Sequence, residues 1–218
     1  MTSVAAFFDL DGTLLSVNSM RLWVTHQRSL GLISRRDALV GAWYTLLYRF
    51  TFLDMQTLAE RALSTMVGLV ETEFEQGVHG FFHDTLRHYI PRNAQPFVDE
   101  HRAKGHKVVL LTSASAHEAR AAARQFNLDD YICTNFEVKD GRFTGKAIPP
   151  VCYAEGKVWL AEAWAEEHGV SLCDSYFYSD SFSDAPMLRR VGHPRVVNPD
   201  LRLHLMAKML GWRKVDWS

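Results

Sequence analysis

Apolar residues in this chain come in short unbroken runs separated by stretches of helical spacing. Residues 4–10 are apolar up to Asp9 and do not alternate with polar ones. That is the pattern of a short strand buried on both faces, as in a parallel sheet covered by helices. Asp11-Gly12 breaks the run. From about residue 17 to 88 the spacing is helical throughout: Leu39, Trp43, Leu46 and Leu47, then Leu58, Ala62, Leu63 and Met66, then Phe74, Val78, Phe81 and Phe82. Strands and helices then take turns. A helix over 94–104 ends at Gly105, and a strand follows over 107–112. A helix over 113–126 is capped by Ser113 or Ser115. Next come a strand at 131–134 and a hairpin over 136–145, turned by Asp140-Gly141. A helix over 155–168, a strand at 174–178, a helix opening near Ser183, a short strand at 195–197 and a helix over 201–210 complete the series.

Such alternation predicts an α/β fold, a Rossmann-like parallel sheet with helices on both faces. The helical stretch after the first strand is too long for one crossover helix. It is expected to be an inserted all-helical subdomain over 17–88, with 1–16 and 89–218 forming the α/β core. No repeat or low-complexity run interrupts the chain.

Composition narrows the function classes. The chain has 218 residues, 47% of them hydrophobic and 22% charged, which suits a folded globular protein. With 24 basic and 25 acidic side chains the formal net charge is -1, so no global field draws in nucleic acid or an anionic membrane. Cys133, Cys152 and Cys173 are odd in number and far apart. They form no zinc-like cluster, and a reducing, cytoplasmic compartment is expected. The first residues lack a basic leader and reach Asp9 too soon for a secretory signal. The apolar stretch 39–48 is too short to span a membrane.

Four short segments carry candidate chemistry. In Asp9-Leu10-Asp11-Gly12, two carboxylates flank a bend at a strand's C-terminal end, where open α/β sheets place their ligands. They can converge with the intervening carbonyl on a hard cation such as Mg²⁺, or be ordinary loop residues. In Thr112-Ser113-Ala114-Ser115, hydroxyls at a strand end precede a helix N-terminus; this is a phosphate seat or simply a cap. Lys157, in Glu155-Gly156-Lys157, is a solvent-facing lysine unless its helix begins at the site, where it balances phosphate and aspartate charge. In Ser179-Asp180-Ser181-Phe182-Ser183-Asp184, Asp180 is placed to complete a cation site. Asp184 ligates directly or through water, orients Lys157, or caps a helix.

These segments, in this order, resemble the haloacid dehalogenase-like hydrolases. FDLDGTL at 8–14 is similar to the family's first motif. The likeness continues at Leu111-Thr112-Ser113, at Gly156-Lys157, and from Ser179-Asp180 through Asp184-Ala185-Pro186-Met187-Leu188. The long helical insert resembles the type 1 cap of the phosphoserine-phosphatase-like branch, subfamily IB. The resemblance implies that Asp9 is a nucleophile forming an aspartyl-phosphate and Asp11 a general acid and base. Thr112, with Ser113 beside it, would hold the phosphate, and Lys157 would steady charge. Mg²⁺ would be bound by Asp9, by the Leu10 carbonyl or Asp11, and by Asp180, with Asp184 in direct or outer contact. Asp11 also separates a phosphatase from a dehalogenase, because a leaving alkoxide needs a proton and a halide does not.

Three departures bear on the substrate. Asn18 stands near where phosphoserine phosphatases carry an acid that reads the substrate ammonium. Thr-Ser-Ala replaces the usual Ser-Gly-Gly, and Ser179 and Ser181 replace glycines. The expected function is hydrolysis of a small phosphomonoester such as an amino-alcohol phosphate, for example histidinol phosphate. Phosphoserine hydrolysis, phosphoryl transfer to another hydroxyl, and a non-catalytic regulatory role are the alternatives. Asn18, Met20, Arg21, Trp23, Tyr48 and Arg49 are the candidates to line a pocket under the helical insert. The hairpin at 136–145 is expected to be a structural flap.

Overall fold

The computed structural model describes residues 3–31 and 63–217. Strand β1 (Ala5–Phe8) is buried at every position. Ala6 and Phe8 project into one apolar layer and Ala5 and Phe7 into another on the opposite face, which explains why the run does not alternate. β2 (Lys107–Ser115) behaves alike, with Val108 and Leu110 on the first face and Val109 and Leu111 on the second. The remaining strands are β3 (Asp130–Lys139), β4 (Arg142–Ile148), β5 (Tyr176–Ser179), β6 (His193–Val197) and β7 (Arg213–Val215). They form one sheet in the order β4-β3-β2-β1-β5-β6-β7, parallel throughout except for the antiparallel β3–β4 pair.

Helices cover both faces. The first layer is packed by α2 (Glu71–Asp84), α3 (Ala94–Ala103) and α4 (Ala116–Phe126), which contribute Phe81, Phe82, Val98, Ala119, Ala122 and Phe126. The second is packed by α5 (Glu155–Glu167), α6 (Ala185–Arg190) and α7 (Leu201–Leu210), through Val158, Ala161, Trp164, Met187, Leu188 and Leu203. α1 (Ser19–Ser29) follows the first strand's loop. Trp23 on α1 meets Phe74 and Phe81 of α2 edge-on, with ring centroids 5.8 and 5.1 Å apart. No helix among the described residues is long and apolar enough to cross a membrane.

β1 lies between β2 and β5 at the centre of the sheet. The chain runs outward from β1 to one edge, then returns to fill the other side. The loops after β1 and after β5 therefore face each other across the switch in strand order, where a crevice opens above a parallel sheet.

Several sequence expectations need correcting. Residues 67–70 interrupt the expected run of helix. Gly68 takes φ +81°, the Gly68 amide donates to the Phe143 carbonyl at 2.9 Å, the Phe143 amide donates to Leu69 at 3.1 Å, and Val70 bridges Arg142. Exchange of backbone hydrogen bonds with β4 is what overrides helical spacing here. The hairpin is not a flap. β3 extends an interior strand of the sheet, and Phe143 of β4 is buried against Phe74, His117 and Phe136. β2 continues through Ser115, so the following helix begins at Ala116 with Ser115, not Ser113, as its cap. β7 was not anticipated: its three residues carry a single buried one, Val215, too short a pattern to stand out.

Behind β1, Trp217 is fully buried and packs on Phe8, Phe97 and Tyr178. Replacing Trp217 by Ala should cost about 3–5 kcal/mol, the usual toll of removing a buried aromatic ring. Urea unfolding should show it as a lower midpoint with an unchanged slope.

Candidate active site

Each of the four segments ends at the crevice. Asp9 leaves β1 with its amide donating to Tyr178 on β5 at 2.9 Å, and its side chain is buried. Lys157 lies in the first turn of α5 and is 1% exposed. Its Nζ donates to Asp9 Oδ1 and to Asp184 Oδ2, each at 2.8 Å. Ser179 Oγ donates to the same Asp184 oxygen at 2.7 Å. A lysine reaches this depth because Gly156 precedes it: a Cβ there would sit 2.0 Å from the Val151 carbonyl oxygen, so only glycine lets α5 start this close to the preceding loop.

Asp180 follows β5 and stands against the loop after β1. A Cβ on Gly12, whose φ is +73°, would fall 2.1 Å from Asp180 Oδ2. Gly12 is thus required both by its backbone conformation and by the carboxylate beside it. The Asp180 carbonyl accepts from the Asp200 amide at 2.9 Å, and Asp200 in turn accepts from the amides of Phe182 and Leu203 at 2.7 and 2.9 Å. That network fixes the loop carrying Asp180. Thr112 is buried near the end of β2, and its Oγ1 accepts from the Ala114 amide at 3.1 Å. Ser113 beside it is exposed.

Asp11 faces the start of α1. Its Oδ1 accepts from the Ser19 amide at 2.9 Å and its Oδ2 from Asn18 Nδ2 at 3.0 Å. Asn18 is also the N-cap of α1, accepting from the Arg21 amide at 3.0 Å. An Asn side chain has one carbonyl oxygen and one amide nitrogen, and here both are engaged. The Met20 and Arg21 side chains are exposed, and Trp23 is packed between helices. Tyr48 and Arg49 lie outside the described residues.

The electrostatics are those of crowded carboxylates. Burial pushes Asp9 up to about 7, with Lys157 opposing and Asp184 adding to the rise. Burial also pushes Asp180 up to about 8, reinforced by the charges of Asp9 and Asp184. Asp11 is raised by burial, against the stabilising Ser19 amide. Burial alone would lower Lys157, but Asp184 and Asp9 more than offset it and hold the ammonium charged. Asp9, Asp11, Asp180 and Asp184 thus share one buried ammonium, a deficit of positive charge that a cation would correct. All the donors are oxygens, the set preferred by Mg²⁺. Among the described residues no three His, Cys, Asp or Glu side chains converge as a ready-made ligand set. Mg²⁺ does not require one, since it usually keeps several waters and takes only one or two carboxylates.

Sequence reasoning missed Ser179, which holds Asp184; Ser19, whose amide holds Asp11; and Glu118 on α4, whose carboxyl is pushed up to about 8 by burial and then by the charge of Asp11. Their signal was short-range: a hydroxyl or acid beside a motif looks like a helix cap until the fold shows where it points.

Residues 6–189 match the haloacid dehalogenase-like hydrolase family. A Mycobacterium tuberculosis protein named a probable phosphatase is 29% identical over 217 residues, which is 98% of this chain and 75% of that one. Histidinol-phosphatase from Neisseria meningitidis serogroup C is 29% identical over 219 residues, 98% of each chain. The crystal structure of a protein of unknown function from Bordetella pertussis Tohama I shares the fold over 100% of both chains, with a TM-score of 0.92 and 30% identity. Every residue of the acidic crevice, from Asp9 to Asp184, falls within the matched stretch, and the chain belongs to the haloacid dehalogenase-like hydrolases.

Proposed function

We propose that this protein is a phosphomonoesterase that hydrolyses a small phosphorylated metabolite, with Asp9 as nucleophile and Mg²⁺ as cofactor. One observation carries the reading: Asp9, from the first strand, and Asp184, 175 positions later in the sequence, share the buried Lys157 ammonium at 2.8 Å each. Lys157 engages Oδ1 of Asp9, which leaves the other carboxylate oxygen to attack phosphorus.

In the first step Asp9 forms a bond to phosphorus as the P–O ester bond breaks. Asp11 gives its proton to the leaving alkoxide, releasing the alcohol. A water then attacks the aspartyl-phosphate, its proton passes to Asp11, and the bond between Asp9 and phosphorus breaks to release inorganic phosphate. Thr112 and the backbone at the end of β2 seat the phosphoryl oxygens, with Ser113 beside them. Lys157 offsets the charge that builds on the transferring group. Asp9, Asp180 and the Leu10 carbonyl or Asp11 would hold Mg²⁺, with Asp184 in support. When bound, the metal supplies positive charge that favours ionised Asp9 and offsets phosphate charge. The insert over 17–88 is assigned as a cap that excludes water during the first displacement, with Arg21 and Arg49 as candidates to meet the substrate's distal end.

An amino-alcohol phosphate such as histidinol phosphate is the favoured substrate. The relative named histidinol-phosphatase supports it. Asn18, engaged by Asp11 and by the α1 cap, supplies no countercharge to a substrate ammonium, a group that histidinol phosphate and phosphoserine both carry, so a substrate panel and not Asn18 separates the two. Phosphate release from a panel of metabolite phosphates tests this. Histidinol phosphate should outrun phosphoserine by at least about tenfold in kcat/KM, and a dominant preference for phosphoserine would reject the assignment.

Asp9→Asn should abolish turnover, leaving less than about 0.1% of kcat, since an amide does not replace an attacking carboxylate. Circular dichroism should show an intact fold. Near-normal turnover in the purified variant would remove Asp9 from its role.

Raised carboxyl pKa values also predict how metal and pH interact. Asp9 and Asp180 bind protons more tightly when folded, so their contribution to stability is present below about pH 4 and lost as pH rises toward about 7 and 8. Metal binding competes with those protons. Mg²⁺ should therefore raise the melting temperature more at pH 8 than at pH 5.5, and an equal rise at both would count against carboxylate ligation.

A further inference from the structure

α7 is apolar on its outer side as well as its inner one. Leu203 and Ala207 pack into the second layer. Leu201, Leu205 and Met209 follow one another at four-residue intervals, which sets them one above the next along a helix. They are 74, 53 and 78% exposed, and Leu210 is half-exposed beside them. A continuous apolar ridge held in water marks a docking surface. Its charged neighbours are of one sign. α7 carries Arg202 and Lys208, both exposed, and no acid.

Leu210 also lines a groove of about 560 Å³ at the C-terminal end of the helix. Arg189, Arg195 and Arg213 line it too, with Val191 and Trp212 among its walls, and no carboxylate does. Arg189 donates only to Met206 Sδ at 3.6 Å, and Arg195 to the Pro194 carbonyl at 3.0 Å while lying over the Tyr176 ring. None of the three is ion-paired among the described residues, whereas Arg190 next to Arg189 is paired with Glu162 at 2.5 Å. The ridge and the groove thus join into one face that is apolar and cationic. The chain's formal net charge of -1 does not oppose this, because at physiological salt a charge acts over only about 8 Å.

A second copy of the chain does not fit the face. A two-fold contact sets the same patch against itself, so cations would meet cations. A ten-residue helix is only about 15 Å long, and one such ridge falls far short of the roughly 800 Å² a side that a stable interface needs. An anionic bilayer surface answers both features, since its headgroups take the cations and its acyl boundary takes the ridge. We infer that α7 and the arginine groove at its C-terminal end dock the protein on an anionic lipid surface. Leu201, Leu205 and Met209 enter the acyl boundary, and Arg189, Arg195 and Arg213 meet headgroup phosphates.

The test is co-sedimentation of purified full-length protein with vesicles of phosphatidylcholine alone, or with about one-third phosphatidylglycerol. Affinity should be at least about tenfold higher for the anionic vesicles and should weaken at high salt. Leu205→Glu with Met209→Glu sets carboxylates on the ridge and should lower that affinity at least about tenfold. Arg189→Gln with Arg213→Gln leaves the ridge intact and should lower it at least about fivefold. Ile148→Glu, an exposed site on β4 at the opposite edge of the sheet, should leave it within about twofold. All these side chains face solvent, so melting temperatures should match that of the unaltered protein; Leu205→Ser with Met209→Ser stands in if the glutamate pair does not fold. No preference for anionic vesicles, or a preference that survives either paired substitution, would overturn the inference. So would a dimer in analytical ultracentrifugation that Leu205→Glu with Met209→Glu dissolves, which gives the ridge to a second copy. Retention on polyglutamate without vesicle binding would overturn it as well, and give the face to an acidic protein.

Discussion

Everything at the crevice is organised around one buried ammonium. Lys157 is enclosed almost completely and donates to two carboxylates that come from opposite ends of the sequence. A lone charge at that depth would be prohibitive, and so would either carboxylate without it. Paired, they lock three elements together: the end of β1, the start of α5 and the turn before α6. Ser179 adds a hydroxyl to Asp184, so the acid keeps its bearing without a second cation. The arrangement leaves a surplus of negative charge beside Asp180. That surplus is what the proposed metal would offset.

The sheet supplies the geometry. Because β1 is central and its two parallel neighbours come from distant parts of the chain, the loops after β1, β2 and β5 open side by side. Two glycines set the tolerances. Gly12 admits the Asp180 carboxylate, and Gly156 lets α5 begin against the Val151 carbonyl. Neither has a side chain to offer chemistry, yet each determines where a charged group ends up.

Much of this was legible in the sequence. The strand at 4–10 was readable because burial on two faces forbids alternation. The placement of the acidic segments was readable because Asp9, Asp11 and Asp180 follow the C-terminal ends of buried strands, where open α/β sheets gather their loops. What could not be read was direction. Asn18 has the look of a substrate contact, but its side chain is spent on Asp11 and on the α1 cap. The stretch around Val70 keeps helical spacing while its backbone bonds to β4, a long-range pairing that no local pattern announces. Such errors share a cause: a short polar side chain has several partners within reach, and only the assembled fold selects one.

The central place of β1 has a consequence for how the protein comes into being. The strand precedes both its neighbours in sequence: β2 lies about a hundred residues later and β5 about a hundred and seventy. The lysine that neutralises Asp9 is 148 positions downstream. While the chain is being synthesised, an apolar strand ending in an unbalanced acid has to wait for most of the polypeptide to emerge before it can take its position. The buried pair between Asp9 and Lys157 therefore forms only once the chain as far as α5 is available to fold.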